Sequence, residues 1–301
     1  MKILLSLMFA LLTAASAFGA ERSIVDAAGR TVVVPAQPQR LLALSELDLD
    51  ALLALKIKPV GATAGRGQSG MPRYLGSAAA GLASVGNFGS PVLDLVIGLQ
   101  PDLILVGGLP DPELLAQLGK IAPTVVSYKP GDDWQAALRR IAAVVGRPAQ
   151  ADAFLSEYRS RAEALRGRLG SQADATVSVV RWNPQGPSYM LKDAFASLVL
   201  ADLKLRRPAA QMQPGAAHSP PLSLEALSKI DGDWLFVGTL SAGGQASDAL
   251  AAARQSPAFR QLGAVRNGHM VAVDGSLWTS PGGPLAALAI LADVERAMVG
   301  R

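Results

Sequence analysis

Residues 92–107 read Val-Leu-Asp-Leu-Val-Ile-Gly-Leu-Gln-Pro-Asp-Leu-Ile-Leu-Val-Gly, and residues 223–238 read Ser-Leu-Glu-Ala-Leu-Ser-Lys-Ile-Asp-Gly-Asp-Trp-Leu-Phe-Val-Gly. The two stretches align without a gap. Asp94 meets Glu225, Asp102 meets Asp233 and Gly107 meets Gly238, all at one constant offset. Each copy sets an acid at the start of an amphipathic helix, then a helix stop, then a buried strand that ends in glycine. A repeat at so long a period points to two similar lobes rather than to a solenoid of short units. Two lobes imply a cleft between them, and domain interfaces are favoured ligand sites.

Outward from the first copy, short apolar strands alternate with amphipathic helices. Ser23 to Pro35 reads as a hairpin with its turn at Ala28-Gly29. Arg40 to Leu44 is a short buried strand, and Ser45 is placed to cap the helix that carries Leu49, Leu52 and Leu53. Pro59 to Ala62 begins a strand, followed by the Gly-rich loop Thr63 to Gly70. Beyond the repeat, Pro110 to Lys120 is a helix and Pro123 to Val126 a strand. This alternation argues for an α/β lobe with a mainly parallel sheet.

The rhythm changes over residues 132–170, which carry only helical signals. Trp134, Leu138, Ile141 and Val145 form one stripe, and Phe154, Tyr158, Ala162, Leu165 and Leu169 form another. A long helix without a strand beside it reads as a stiff connector, for which little lobe movement on binding is expected. The alternation then resumes. Val177 to Trp182 is a strand, Asp193 to Ala201 a helix, Ser247 to Phe259 a helix, His269 to Val273 a strand, Gly275 to Pro284 a loop and Leu285 to Val299 the last helix. The expected fold is α/β, with two similar lobes of mainly parallel sheet joined by a long connector helix and a ligand cleft between them. The parts are a signal segment (1–20), an N-terminal lobe (21–131), a helical connector (132–170) and a C-terminal lobe (171–301).

Composition narrows the function. Met1-Lys2, the apolar run Ile3 to Leu12 and the small residues Ala15-Ser16-Ala17 read as a secretory signal peptide, too short for a good membrane span. The chain has no cysteine. Disulfides, thiolate metal sites and a cysteine nucleophile are excluded, and so is the lipid-modified cysteine of a lipoprotein. A protein exported without an anchor is expected in the periplasm. The formal charge of +4 is mild and its basic residues are scattered, so nucleic acid is not indicated as a partner. No later apolar run is free of charges, so stable membrane insertion is not expected either. There is no Gly-x-Ser-x-Gly elbow, no His-Glu-x-x-His and no phosphate-loop motif, and an enzyme is not expected. An exported two-lobe hydrolase is the remote alternative.

The order of landmarks carries a resemblance. Pro38-Gln39-Arg40-Leu41-Leu42-Ala43-Leu44, Pro59-Val60-Gly61, Leu99-Gln100-Pro101-Asp102-Leu103-Ile104-Leu105-Val106, the connector helix and Trp278 before the terminal helix resemble the periplasmic binding proteins of ABC importers for ferric siderophores, heme and cobalamin. The resemblance spans nearly the whole mature chain. It implies a monomer that captures a ferric siderophore in the interlobe cleft and delivers it to an inner-membrane ABC permease dimer. Heme or a cobalamin-like corrinoid is the alternative ligand. No resident cofactor or protein-bound metal is implied, since the iron travels inside the siderophore.

In such proteins one acid on each lobe docks onto permease arginines, which maps onto Asp94 and Glu225. Two exposed carboxylates, one per lobe, can read the relative orientation of the lobes through charge-assisted bonds. The family usually has Glu where Asp94 stands, so this arm is shorter. Cleft candidates are Arg66, Tyr74 and Phe88 from the first lobe and Arg181, Trp182, Tyr189 and Trp278 from the second. Arginine offers planar donors to anionic chelating groups, and aromatics supply rigid contact area. Phe88 occupies a place where family members often have arginine. Of the two histidines, His269 reads as a strand residue with no ligand role and His218 as a surface loop residue that could reach the cleft.

Overall fold

The computed structural model describes residues 20–108 and 110–300. The expected signal segment lies, apart from Ala20, outside them. The chain opens with an antiparallel hairpin, β1 (Glu21–Val25) and β2 (Thr31–Pro35). Asp26 holds its turn by accepting from the backbone N–H of Ala28 and of Arg30, both at 2.9 Å.

The N-terminal lobe follows, with β3 (Leu41–Ala43), α1 (Glu46–Ala54), β4 (Gly61–Ala62), β5 (Ala83–Ser84), the two-residue strands β6 (Gly86–Asn87) and β7 (Ser90–Pro91), α2 (Leu93–Gly98), β8 (Leu103–Val106), α3 (Pro112–Gly119) and β9 (Thr124–Val126). Two helices come next, α4 (Trp134–Val144) and the long α5 (Pro148–Arg168). The C-terminal lobe comprises β10 (Val177–Asn183), β11 (Gly186–Tyr189), α6 (Phe195–Asp202), the 3-10 helix Leu224–Ile230, β12 (Trp234–Gly238), α7 (Gln245–Ala253), α8 (Pro257–Arg260), α9 (Gly263–Arg266), β13 (Met270–Ala272), α10 (Gly275–Thr279) and α11 (Pro284–Met298).

Among the described residues the N-lobe sheet runs β5-β4-β3-β8-β9, parallel throughout. The C-lobe sheet runs β11-β10-β12-β13, parallel except for the β10–β11 pair. The repeat is visible in how each sheet is tied. Asp102, just before β8, accepts from the backbone N–H of Arg40, just before β3, at 2.9 Å. Asp233, just before β12, accepts from the N–H of Thr176, just before β10, at 2.6 Å. The same carboxylate thus sets the register of a parallel pair in each lobe.

Alternation along the strands sorts the core into faces. Leu41, Ala43, Leu103, Leu105 and Val125 of the first sheet, with Val177, Val179, Trp234 and Phe236 of the second, enter one continuous core with α1, α4, α5, α6 and α11. Leu42, Leu44, Ile104, Val106 and Val126 form a separate layer with Val96 and Leu118. Val180, Trp182, Leu235 and Val237 form another with Leu227, Phe259 and Leu262. The shared core packs the connector against both lobes. Helix α5 packs on α4 and α11, while α11 also packs on α1 and α6, so the two lobes are joined through buried contacts as well as through the chain.

Among the expected elements that differ are two of the C-terminal lobe. The helix expected over Ser247 to Phe259 is broken into α7 and α8. Pro257 lacks an N–H and cannot continue a helix, whereas it suits the first turn of a new one, capped by the Ser256 hydroxyl. The loop expected over Gly275 to Pro284 contains α10, capped by the Asp274 carboxylate, which accepts from Ser276 N–H at 2.9 Å. Among the described residues no helix is long and apolar enough to cross a membrane.

Candidate functional site

In the N-lobe sheet the strand order reverses at β3, with β4 and β5 to one side and β8 and β9 to the other. Ligands of open parallel sheets bind beyond the carboxyl ends of the strands at such a switch. A cleft of about 470 Å³ lies there. Leu44 enters it after β3, Arg66 after β4, Val106 to Gly108 at the end of β8, and Tyr128 to Asp132 after β9. The C-terminal lobe contributes Arg181 from β10, Met190 after β11, His218, and Thr279 to Gly282 at the end of α10 and just beyond it. Trp134 of α4 and Phe195 of α6 line it as well. The volume suits a small molecule.

Helix α1 organises the N-lobe wall with three acids at alternate positions, all buried: Glu46, Asp48 and Asp50. Ser45 caps the helix, its hydroxyl accepting from Asp48 N–H at 3.1 Å. Asp48 accepts from the Ser127 hydroxyl beyond β9 and from the Gly107 backbone beyond β8, and burial pushes its carboxyl up to about 6. Glu46 accepts from the backbone N–H of Arg66 at 2.8 Å, and burial pushes it up to about 7. Asp50 faces the other way. It accepts from the N–H groups of Leu285 (2.7 Å) and Ala286 (2.9 Å) at the start of α11, and from the Tyr74 hydroxyl (2.8 Å). One short helix therefore fixes three loops of the cleft and ties them to the C-terminal helix.

The repeated glycines are steric necessities. A Cβ on Gly107 would stand 1.8 Å from the Tyr128 ring, and one on Gly238 would stand 2.3 Å from the Val273 carbonyl oxygen. Gly107 thus lets the Tyr128 ring close over the end of β8 against the cleft.

Two arginines from opposite lobes converge on this space. The Arg66 guanidinium lies over the Phe88 ring, 4.6 Å from its centroid. Arg181 is buried. Its Nε donates to Thr279 Oγ1 at 2.9 Å and an Nη donates to the Thr279 carbonyl. Burial first, and then the like charge of Arg66 across the cleft, push Arg181 down to about 10. Among the described residues neither arginine forms an ion pair with a carboxylate. The acids at the rim are committed elsewhere: Asp111 caps α3, Asp132 pairs with Arg140 at 3.1 Å, and Asp193 accepts from Gly215 N–H. Trp134 Nε1 and Ser280 Oγ, on two residues of the lining, are buried without a hydrogen-bond partner among the described residues. The arrangement presents cationic donors over an apolar floor of Leu44, Leu47, Phe88, Phe195 and Leu198.

Of the residues expected in the cleft, the structure brings together Arg66, Phe88 and Arg181. Four are corrected. Trp182 follows Arg181 on one strand, so the two side chains point to opposite faces. Trp182 lies in the outer core, edge-on to Phe259 with centroids 5.7 Å apart. Tyr189 pairs across the hairpin with Val180 and shares that outer face. Trp278 is buried in the shared core, stacked on Phe236 at 4.6 Å, with Nε1 donating to Asp293 at 2.9 Å. Tyr74 spends its hydroxyl on Asp50 and lies behind the cleft wall. His218, read as a surface loop residue that could reach the cleft, is half-buried and lines it. His269 stacks on Trp234 at 4.2 Å, away from the cleft. Sequence reasoning missed Tyr128, Lys129, Met190 and the floor residue Phe195. The available signal was position: Tyr128 and Lys129 follow β9 at its carboxyl end, as Arg66 follows β4.

Asp94 lies in the first turn of α2 and Glu225 in the first turn of Leu224–Ile230, both exposed. The second helix of the repeat is 3-10 rather than α. Ser223 beside Glu225 holds its carboxyl below the usual range. Exposed Val92, Leu95 and Ile97 surround Asp94, and exposed Leu224 adjoins Glu225.

Known proteins share this fold. A solved structure of Staphylococcus aureus SirA complexed with staphyloferrin B superposes with a TM-score of 0.80 at 22% identity, covering 92% of this chain and 98% of the other. Bacillus subtilis FeuA complexed with ferri-bacillibactin gives 0.78 at 18% identity, over 93% and 99%. These likenesses establish the fold. In sequence, the probable siderophore-binding lipoprotein YfiY of Bacillus subtilis is 30% identical, over 91% of this chain and 86% of the relative. The achromobactin-binding periplasmic protein of Dickeya dadantii is 28% identical, over 86% of each. Residues 18–277 match the family described as "Periplasmic binding protein", and with the two-lobe fold and its interlobe cleft this shows that the chain belongs to that family.

Proposed function

We propose that this protein captures an anionic ferric siderophore in the interlobe cleft, in the periplasm, and delivers it to an ABC permease dimer. The observation that carries the reading is the convergence of Arg66 and Arg181, one from each lobe and neither in a side-chain ion pair among the described residues, on an apolar cleft. Planar guanidinium groups match the oxygens of carboxylate or catecholate chelators. Because each lobe supplies one arginine, a bound anion bridges the lobes. Relatives named for siderophores, achromobactin and ferric dicitrate support the ligand class. Asp94 and Glu225, one per lobe on exposed turns flanked by apolar residues, are the surfaces offered to the permease.

Titration of tryptophan fluorescence tests the ligand assignment. Trp134 is the reporter, since it alone of the four tryptophans lines the cleft. The panel holds ferric citrate, ferric carboxylate, catecholate and hydroxamate siderophores, heme and cobalamin. Saturable quenching by an anionic ferric chelate is expected. Response to heme or cobalamin alone would reassign the ligand.

A further inference from the structure

Granted the capture of an anionic chelate, on which this rests, we propose that Glu46 is the internal counter-ion of the two cleft arginines and that ligand capture is coupled to proton uptake by its carboxyl. Glu46 opens α1 and is buried, 5% exposed. Its Oε1 accepts from the Arg66 backbone N–H at 2.8 Å, which fixes the carboxyl to the loop that carries one cleft arginine. Four charged side chains act on it. Arg66 and, from β10 of the other lobe, Arg181 attract its charge, while Asp50 on its own helix and Asp274 before α10 repel it. The hydroxyls of Tyr74 and Tyr128 complete the titratable groups around it.

Arg66 and Arg181 line one cleft from opposite lobes, and Glu46 is the buried carboxylate whose charge offsets theirs. An anion that enters between the arginines takes over that role. Its charge then opposes the charge of Glu46 through a poorly screening interior. Protonation of Glu46 removes the conflict, since the carboxylic acid still accepts the Arg66 N–H through a neutral oxygen. Burial already pushes the Glu46 carboxyl up to about 7, so the proton is available near neutral pH.

The direction of the pH effect follows. The bound anion raises the affinity of Glu46 for a proton, so binding takes up a proton in the window from about 7 upward. Affinity is then highest and flat at lower pH, and falls as pH rises above neutrality. The limit is a tenfold loss per pH unit, set by one proton.

Calorimetric titration with ferric citrate, in two buffers of different ionisation enthalpy and from about pH 5.5 to about pH 9, reads both quantities. The wild-type protein is expected to take up as much as one proton per chelate just above neutrality. Glu46→Gln is expected to take up only what the chelate itself binds, and its profile is the baseline to subtract from that of the wild type. Should Glu46→Gln fail to fold, the carboxyl signal of Glu46 in carbon-13-labelled wild-type protein replaces it. Diamagnetic gallium citrate must then shift its titration midpoint upward. Equal proton uptake and equal slopes in wild type and Glu46→Gln, or an unmoved midpoint, would overturn the coupling and leave anionic binding in place. Absence of binding at every pH by ferric citrate and by every other anionic ferric chelate of the panel would instead overturn the anionic-chelate reading beneath it.

Discussion

Replacing Asp50 with asparagine isolates the joint between the two lobes. The Asp50 carboxyl is completely buried, and its partners are all donors: the N–H groups of Leu285 and Ala286 and the Tyr74 hydroxyl. These donors and the start of α11 favour the carboxylate, yet desolvation outweighs them and pushes the group up to about 6 from 3.8. Well below pH 3.8 both folded and unfolded chains carry the proton and stability does not depend on it. Between the two values the unfolded chain ionises while the folded one does not, so stability falls. Above about 6 the penalty is complete, and about two units at 1.4 kcal/mol each make it about 3 kcal/mol. Asp50→Asn lacks this term but sets an amide NH2 against a donor, which costs about 1–3 kcal/mol at any pH. The variant is thus expected to be clearly less stable than wild type near pH 4 and close to it at pH 7. In a chain of this size the gap in Tm should close by roughly 5–10 °C across that range. Parallel thermal melts followed by circular dichroism measure it. Asp48 titrates in the same window but cancels in the difference, whereas Glu46, whose charge Asp50 repels, closes the gap further in the same direction. A gap in Tm that is constant with pH would show that the α11 N-terminus keeps Asp50 ionised as water would, and would refute the dominance of burial.

Four further outcomes follow from the structure. Gly107→Ala should displace the Tyr128 ring, lowering stability by about 1–3 kcal/mol and weakening ligand affinity, checked by melts and by titration. Trp134→Phe should remove most of the ligand-induced quenching, whereas Trp182→Phe, in the outer core, should leave it intact. Reversing both Asp94 and Glu225 to lysine should abolish siderophore uptake by cells while leaving affinity in vitro unchanged, and normal uptake would sink the docking assignment. Solution scattering with and without ligand should show little change in the radius of gyration, because α11 packs on elements of both lobes and on α5. A marked contraction would refute the stiff connector.

Much of the site was legible in the sequence wherever function followed chain position. Arg66 between two glycines after a strand, Phe88 before the repeated helix and Arg181 on a strand all reach the cleft. The errors share a cause. Aromatic character was taken as a sign of ligand contact, although a buried aromatic gains as much from a core. The alternation rule alone separates Arg181 from Trp182 and, once the β10–β11 pairing is known, Tyr189 from Met190.

The sequence by itself determined the two lobes, the order of helices and strands, the capping of α1 by Ser45, the connector and the matched acids Asp94 and Glu225. Those are local or periodic properties, written in neighbouring residues or in a repeat. Only the tertiary structure decided which residues meet in the cleft, that Glu46, Asp48 and Asp50 are buried struts, and that Trp278 and Tyr74 belong to the core. These depend on sheet pairing and on packing between segments far apart in the chain. Asp50 meets α11 and Glu46 meets Arg66 because the fold places them together, and no local pattern encodes that distance.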